Sequence, residues 1–157
     1  MRASEVDIGY QDQSSAGSGT AATGSKPESK LWWNDGFWWG SLYDAVSGDH
    51  HIFKLDGRSQ KWVDTGVTLD PRPGSRADTL WDGGHLYVAS HQRVNIATAG
   101  QQSLLYRFSY DPARDRYTPD QGFPVSINDY ATETLVIEKA GDGTLWATWV
   151  QDSHIYV

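Results

Sequence analysis

From Ser29 onward the chain repeats itself about every fifty residues, and this repeat restricts the fold more than any other feature. Ser29-Lys30-Leu31-Trp32-Trp33, Asp78-Thr79-Leu80-Trp81-Asp82 and Glu133-Thr134-Leu135-Val136-Ile137 open equivalent strands, 49 and then 55 residues apart. Each leads into a turn: Asn34-Asp35-Gly36, Asp82-Gly83-Gly84 or Gly141-Asp142-Gly143. An aromatic strand follows each turn, and Asp-Gly between apolar runs signals a hairpin because the tight turn needs φ > 0. The second half of the unit recurs too. Ile52-Phe53-Lys54-Leu55 matches Leu105-Tyr106-Arg107-Phe108, and Ile155-Tyr156-Val157 begins that strand a third time. Turns at Asp56-Gly57 and Asp111-Pro112 then lead to Trp62-Val63 and Tyr117-Thr118.

A repeat of about 40–50 residues holding four antiparallel strands is the mark of a β-propeller blade. A sandwich of seven or eight strands has no reason to repeat in groups of four. The expected fold is all-β: a partial β-propeller of two four-stranded blades, residues 29–66 and 78–125, plus part of a third over 133–157. Propellers close with roughly 4–8 blades, so the remaining blades are expected in a longer parent chain. Composition agrees. Eight Trp, eight Tyr and sixteen Gly suit pleated surfaces and tight turns, and no long stretch carries the i, i+3, i+4, i+7 period of a helix.

Residues 1–28 are rich in Ser, Gly, Ala and Thr, with Val6, Ile8 and Tyr10 as the sizeable apolar groups. Such a segment buries too little surface to offset the entropy of ordering it, so a disordered linker is expected there. Thirteen Lys and Arg against 20 Asp and Glu, with no basic run, argue against nucleic acid or an anionic membrane as partner. No apolar run is long enough to insert in a membrane. The absence of cysteine removes disulfides and thiolate metal sites.

The segments Trp81-Asp82-Gly83-Gly84-His85-Leu86-Tyr87-Val88, Tyr106-Arg107-Phe108-Ser109-Tyr110-Asp111-Pro112 and Asp142-Gly143-Thr144-Leu145-Trp146 resemble the sialidase-like propeller repeats of large secreted bacterial proteins. The resemblance covers about residues 29–157. The sialidase Asp-box, Ser-x-Asp-x-Gly-x-Thr-Trp, is not intact: residues 140–146 keep the Asp and an aromatic residue. The resemblance implies a propeller outside the cell or on its surface that meets carbohydrate, with its signal peptide upstream.

Function on such a scaffold concentrates in loops at one end. The connections expected to share that end are 67–77 and 123–132, with 44–50, 91–102 and 151–153. Arg72, Arg76 and Asp78 fall on the first of these, and Tyr130 and Glu133 near the equivalent place one blade on. Arginine presents a planar donor fork that fits a carboxylate, so these five are the candidate ligand-binding residues; an Arg–Asp pair tying the Pro-rich connection to its blade is the structural alternative. His50 and His51 are adjacent and point to opposite faces of a strand, His91 and His154 stand apart, and no window has the spacing of a calcium loop. No metal and no cofactor are expected. Of the Trp32-Trp33 and Trp38-Trp39 pairs, half should be buried, and an exposed one would offer a flat face to a sugar.

Two functions fit these residues. One is a non-catalytic domain that binds carbohydrate or protein. The other is part of a sialidase-like glycoside hydrolase or a polysaccharide lyase whose remaining groups lie in other blades.

Overall fold

The computed structural model describes residues 27–72 and 74–157 together with Asp12, Ser14 and Ala16. The described chain is all-β, without helices, and its antiparallel sheets do not close into a barrel. Sheet 1 has the order β1 (Leu31–Asn34), β2 (Phe37–Asp44), β3 (Asp49–Asp56), β4 (Lys61–Asp70). Sheet 2 runs β5 (Ser75–Trp81), β6 (His85–Gln92), β7 (Thr98–Asp111), β8 (Arg116–Pro119), with β9 (Val125–Ala131) also paired to β7. Sheet 3 is β10 (Leu135–Lys139), β11 (Leu145–Gln151) and β12 (His154–Tyr156).

The expected hairpins form where their turn chemistry placed them. Asp35 and Gly36 both have positive φ (51° and 78°), which closes the two-residue connection between Asn34 and its cross-strand partner Phe37. Asp82 Oδ1 accepts the N–H groups of Gly84 and His85 at 2.8 and 2.7 Å, so this turn is held by its own aspartate.

The connections are shorter than expected. Residues 67–77 are mostly strand: β4 continues to Asp70 with Val67 and Leu69 buried, and β5 already begins at Ser75. Likewise β7 begins at Thr98, and β9 occupies most of 123–132. Thr98–Gln102 is exposed and polar, so no apolar period marked it as strand. The sheets therefore span wider ranges than the 29–66 and 78–125 units. Most of the linker expected over 1–28 lies outside the described residues. Glu28, assigned to that linker, is instead part of the fold, its side chain only 3% exposed.

The sheets stack face to face, with sheet 2 in the middle. Between sheets 1 and 2, Trp32, Trp39, Ile52, Val67 and Leu69 meet Ala77, Leu86, Val88, Phe108 and Tyr117. Between sheets 2 and 3, Tyr87 and Ala89 meet Leu135 and Ile137, with Leu80, Leu105 and Trp149 packed around them. Strand β6 thus buries both its faces, one on each neighbour. Of the three residues whose recurrence marked them as core, Leu86 and Leu135 are fully buried, and Trp81 is half-buried against the first cluster.

Candidate functional site

The five candidate residues fall in four places. Asp70 accepts from Arg72 Nε at 3.0 Å on both carboxylate oxygens and from Arg72 Nη2 at 2.6 Å, while Arg72 Nη1 donates to the Gln102 carbonyl. Ser90 Oγ donates a further bond to Asp70 at 2.6 Å. This is the Arg–Asp tie set out above as the structural alternative, with Asp70 rather than Asp78 as the acid. Burial pushes the Asp70 carboxyl up, but the bonds from Arg72 and Ser90 outweigh it and hold it below its usual range.

Arg76 and Asp78 stand two apart on β5, on the same side of the strand, and both are buried. The Asp78 carboxylate serves the backbone: Ser29 N–H donates to Oδ1, and Ile137 N–H donates to Oδ2 at 2.8 Å. It therefore links the chain entering β1, strand β5 and strand β10, one from each sheet. Burial outweighs these bonds and raises its carboxyl above the ordinary value. Both oxygens face N–H donors, so Asp78→Asn must turn an amide NH2 toward one of them. We expect a loss of about 1–3 kcal/mol for this variant, and a larger loss for Asp78→Ala, because a buried donor without a partner costs that much. Urea unfolding measures both; an Asp78→Ala midpoint equal to wild type would place the residue outside the sheet junction.

Around Arg76 lies a polar belt that the sequence did not disclose. His91, fully buried, donates from Nε2 to Glu28 Oε1 at 2.8 Å, and its Nδ1 lies 3.0 Å from the Thr132 carbonyl. Lys30 Nζ bonds Glu28 Oε2 at 3.0 Å and also the Ala77 carbonyl. Burial, then the charges of Arg76 and Lys30, lower the His50 pKa to about 4, so His50 is neutral at pH 7. Glu28 thus joins His91 of β6 to Lys30 at the entry to β1, which is the work of a structural network.

His50 and His51 point to opposite faces, as alternation requires. On the face away from sheet 2, His51 Nδ1 lies 3.0 Å from Asp64 and its Nε2 3.0 Å from Asp49. Donor atoms of Asp44, His51 and Asp64 fall within 4.8 Å of one another, close enough to hold a divalent cation. These residues come from three paired strands, so no sequence window could show the spacing.

Two clefts remain. One, of about 380 Å³, lies between sheet 1 and the β7–β8 turn and includes Phe37, Lys54, Asp64, Arg114 and Asp115. Its aromatic face is taken: the Lys54 ammonium sits 3.5 Å over the Phe37 ring and pairs with Asp115. Its Arg114 pairs with Asp111 at 2.7 Å.

The other cleft lies at the expected loop end. Three connections build it: Asn95, Ile96 and Ala97 between β6 and β7, Glu133 between β9 and β10, and Gln151, Asp152 and Ser153 between β11 and β12, with Val150 completing about 270 Å³. Asp152 and Ser153 both have positive φ (50° and 62°), which turns the chain back within two residues and holds their side chains beside Gln151. Of the five candidates, Glu133 lines this cleft. Tyr130 lies on β9 opposite Ala99, where its carbonyl accepts from Ser103 Oγ at 3.0 Å. Among the described residues no helix is long and apolar enough to cross a membrane. No family model matches this chain, and comparisons with curated proteins and with solved structures return no match.

Proposed function

We propose that the three sheets are consecutive blades of a β-propeller of the sialidase-like kind, outside the cell or on its surface, and that the cleft at their loop end binds a neutral carbohydrate. The observation that carries this reading is the convergence of three loops from two adjacent sheets on one cleft of mixed polar and apolar lining. Its size is near the lower end of small-ligand pockets, about 300 Å³, which suits one sugar ring rather than a protein segment. Asn95 and Gln151 offer amide donors and acceptors, Glu133 and Asp152 offer carboxylate acceptors, and Ser153 a hydroxyl. Neighbouring hydroxyls on a sugar ring present donor and acceptor side by side, which amides and carboxylates match. Ile96 and Val150 give the apolar contact that the C–H face of a sugar requires.

The charged residues that line the cleft are both acidic, with Arg93 bonded to Asn95 at its edge, so the cleft suits a neutral glycan better than an acidic one. That changes the expected ligand from the one arginines would hold, because Arg72 is committed to Asp70. Binding without turnover is the leading reading; in the hydrolase reading Glu133 and Asp152, the two carboxylates of the cleft, would be the acid and its partner.

An array of neutral and acidic oligosaccharides tests the proposal. Neutral glycans should bind, and Asp152→Ala or Gln151→Ala should weaken binding at least tenfold with the melting temperature unchanged. Binding confined to acidic glycans and lost in Arg76→Ala would overturn it in favour of the β5 arginine.

A further inference from the structure

On the face of sheet 1 away from sheet 2, three strands gather acids around one histidine. Leu42 pairs with His51 and Asp44 with Asp49 across β2 and β3, so all four side chains share that face. Asp64, the β4 partner of Phe53, joins them there. The β3–β4 register slips between Ile52 and Phe53, where Gly66 has a φ of 69° and its N–H donates to Asp64 Oδ1 at 2.8 Å. A bulge of this kind re-aims a side chain, and here it sets Asp64 beside His51.

Two features of this group call for a cation. The first is charge. Asp44 and Asp49 stand directly opposite one another, which destabilises a sheet unless the charge is compensated. Among the described residues, Asp49 and Asp64 pair with His51, and no lysine or arginine pairs with any of the three acids. Even a protonated His51 would leave two of the three negative charges uncompensated. The second is the ring. His51 Nδ1 lies 3.0 Å from Asp64 and Nε2 lies 3.0 Å from Asp49, in a side chain only 10% exposed. A neutral imidazole has a single N–H, so one nitrogen then presents its lone pair to a carboxylate.

We propose that His51 Nδ1, Asp44 and Asp64 bind a divalent ion of the zinc class. Ligands about 2.0–2.2 Å from one ion and roughly 90–110° apart are separated by about 3.0–3.5 Å. The 3.0 Å between Nδ1 and Asp64 fits that spacing. Asp44, whose donor atom lies within 4.8 Å of the other two, closes on the ion by a small rotation. Nε2–H is then donated to Asp49, which fixes the tautomer as an outer carboxylate does for metal-bound histidines. The imidazole favours zinc, nickel or copper over calcium and magnesium, which prefer oxygen ligands. Asp64 is the most exposed of these side chains, so the ion enters on its side. The site belongs to sheet 1 and the sugar cleft to sheets 2 and 3, so neither reading depends on the other.

Calorimetric titration of the full chain with zinc chloride, then with calcium and magnesium chloride, tests the site. One zinc ion per chain should bind, and the other two ions about a hundredfold more weakly or less. Asp64→Asn keeps the oxygen that accepts from Gly66 and removes the charge, so its circular dichroism should match wild type. It should bind zinc about tenfold more weakly or worse. His51→Gln should abolish binding, whereas His154→Gln, at an exposed histidine of β12, should leave it unchanged. If His51→Gln does not fold, nitrogen NMR of the wild type gives the same answer, because zinc should displace the His51 Nδ1 resonance. A ring that keeps protons on both nitrogens in excess zinc overturns the site in favour of an imidazolium clasped between carboxylates. Binding that survives in Asp64→Asn at full strength, or that His154→Gln removes, overturns it as well. Calcium binding tighter than zinc would remove His51 from the ligand set and refute the ion class.

Discussion

Trp39→Ala should lower stability by about 3–5 kcal/mol, the range for emptying a large aromatic side chain from a packed core. Trp39 is wholly shielded from solvent. Its ring packs edge-on against Tyr117 at 5.0 Å and Tyr110 at 5.6 Å, and its Nε1–H donates to the Asn34 carbonyl at 3.0 Å. Alanine would leave a cavity where three strands meet, and the β1–β2 turn would lose its side-chain anchor. Its neighbour is the control. Trp38 points to the opposite face of β2 and is 45% exposed, so Trp38→Ala should cost about 1 kcal/mol or less in a dilute, single-chain sample. Urea unfolding of the two variants measures the contrast; equal losses would mean that the two faces of sheet 1 are not distinguished as described.

The same strand shows what the sequence made legible. Alternation requires one of Trp38 and Trp39 to be buried, and Asp35-Gly36 fixes the hairpin, because both follow from rules that act over a few residues. Which tryptophan faces the core is set by what lies opposite, and here the repeat misleads. Trp32 and Trp81 occupy matched places in the sequence, yet Trp32 belongs to the sheet 1 side of the first junction and Trp81 to the sheet 2 side. They meet the same Tyr117 ring, at 5.9 and 5.8 Å, from opposite sheets. Four residues separate Trp33 from its partner Trp38, and four separate Trp81 from Leu86, so Trp81 takes in its sheet the place of Trp33, one residue away from its match in the sequence. Side chains alternate with period two, and a slip of one residue exchanges the faces. The candidate site divides along the same line. Loop placement was legible because hairpin order dictates which connections share an end, and Glu133 lies where the repeat put it. Partners such as His91 with Glu28, or His51 with Asp64, depend on strand pairing and sheet packing that local patterns do not encode.

Acid should unfold the protein through Glu28. Burial alone would push this carboxyl up, but the bond from His91 and the Lys30 ammonium prevail and bring it down from 4.5 to about 2. The side chain is 3% exposed, so solvent screens these interactions little. A depressed carboxyl means that the folded chain binds fewer protons than the unfolded chain between the two values. The resulting stability is fully present above pH ~4.5 and is lost as pH falls from there toward 2. A shift of this size corresponds to at most about 3 kcal/mol. Asp82 is also held at about 2, by Lys139 and two turn N–H groups, so the wild-type acid limb contains more than one group. Comparison with Glu28→Gln isolates the share of Glu28. The glutamine keeps the shape and an oxygen acceptor for His91 but carries no charge to titrate. This variant should be less stable than wild type at pH 7, and the difference should shrink steadily as the pH is lowered from 5 to 2.5. Urea midpoints taken across that interval give the result. A constant gap between the two proteins would mean that Glu28 contributes through packing alone, and that its charge does not hold the chain entering β1 against His91 and β10.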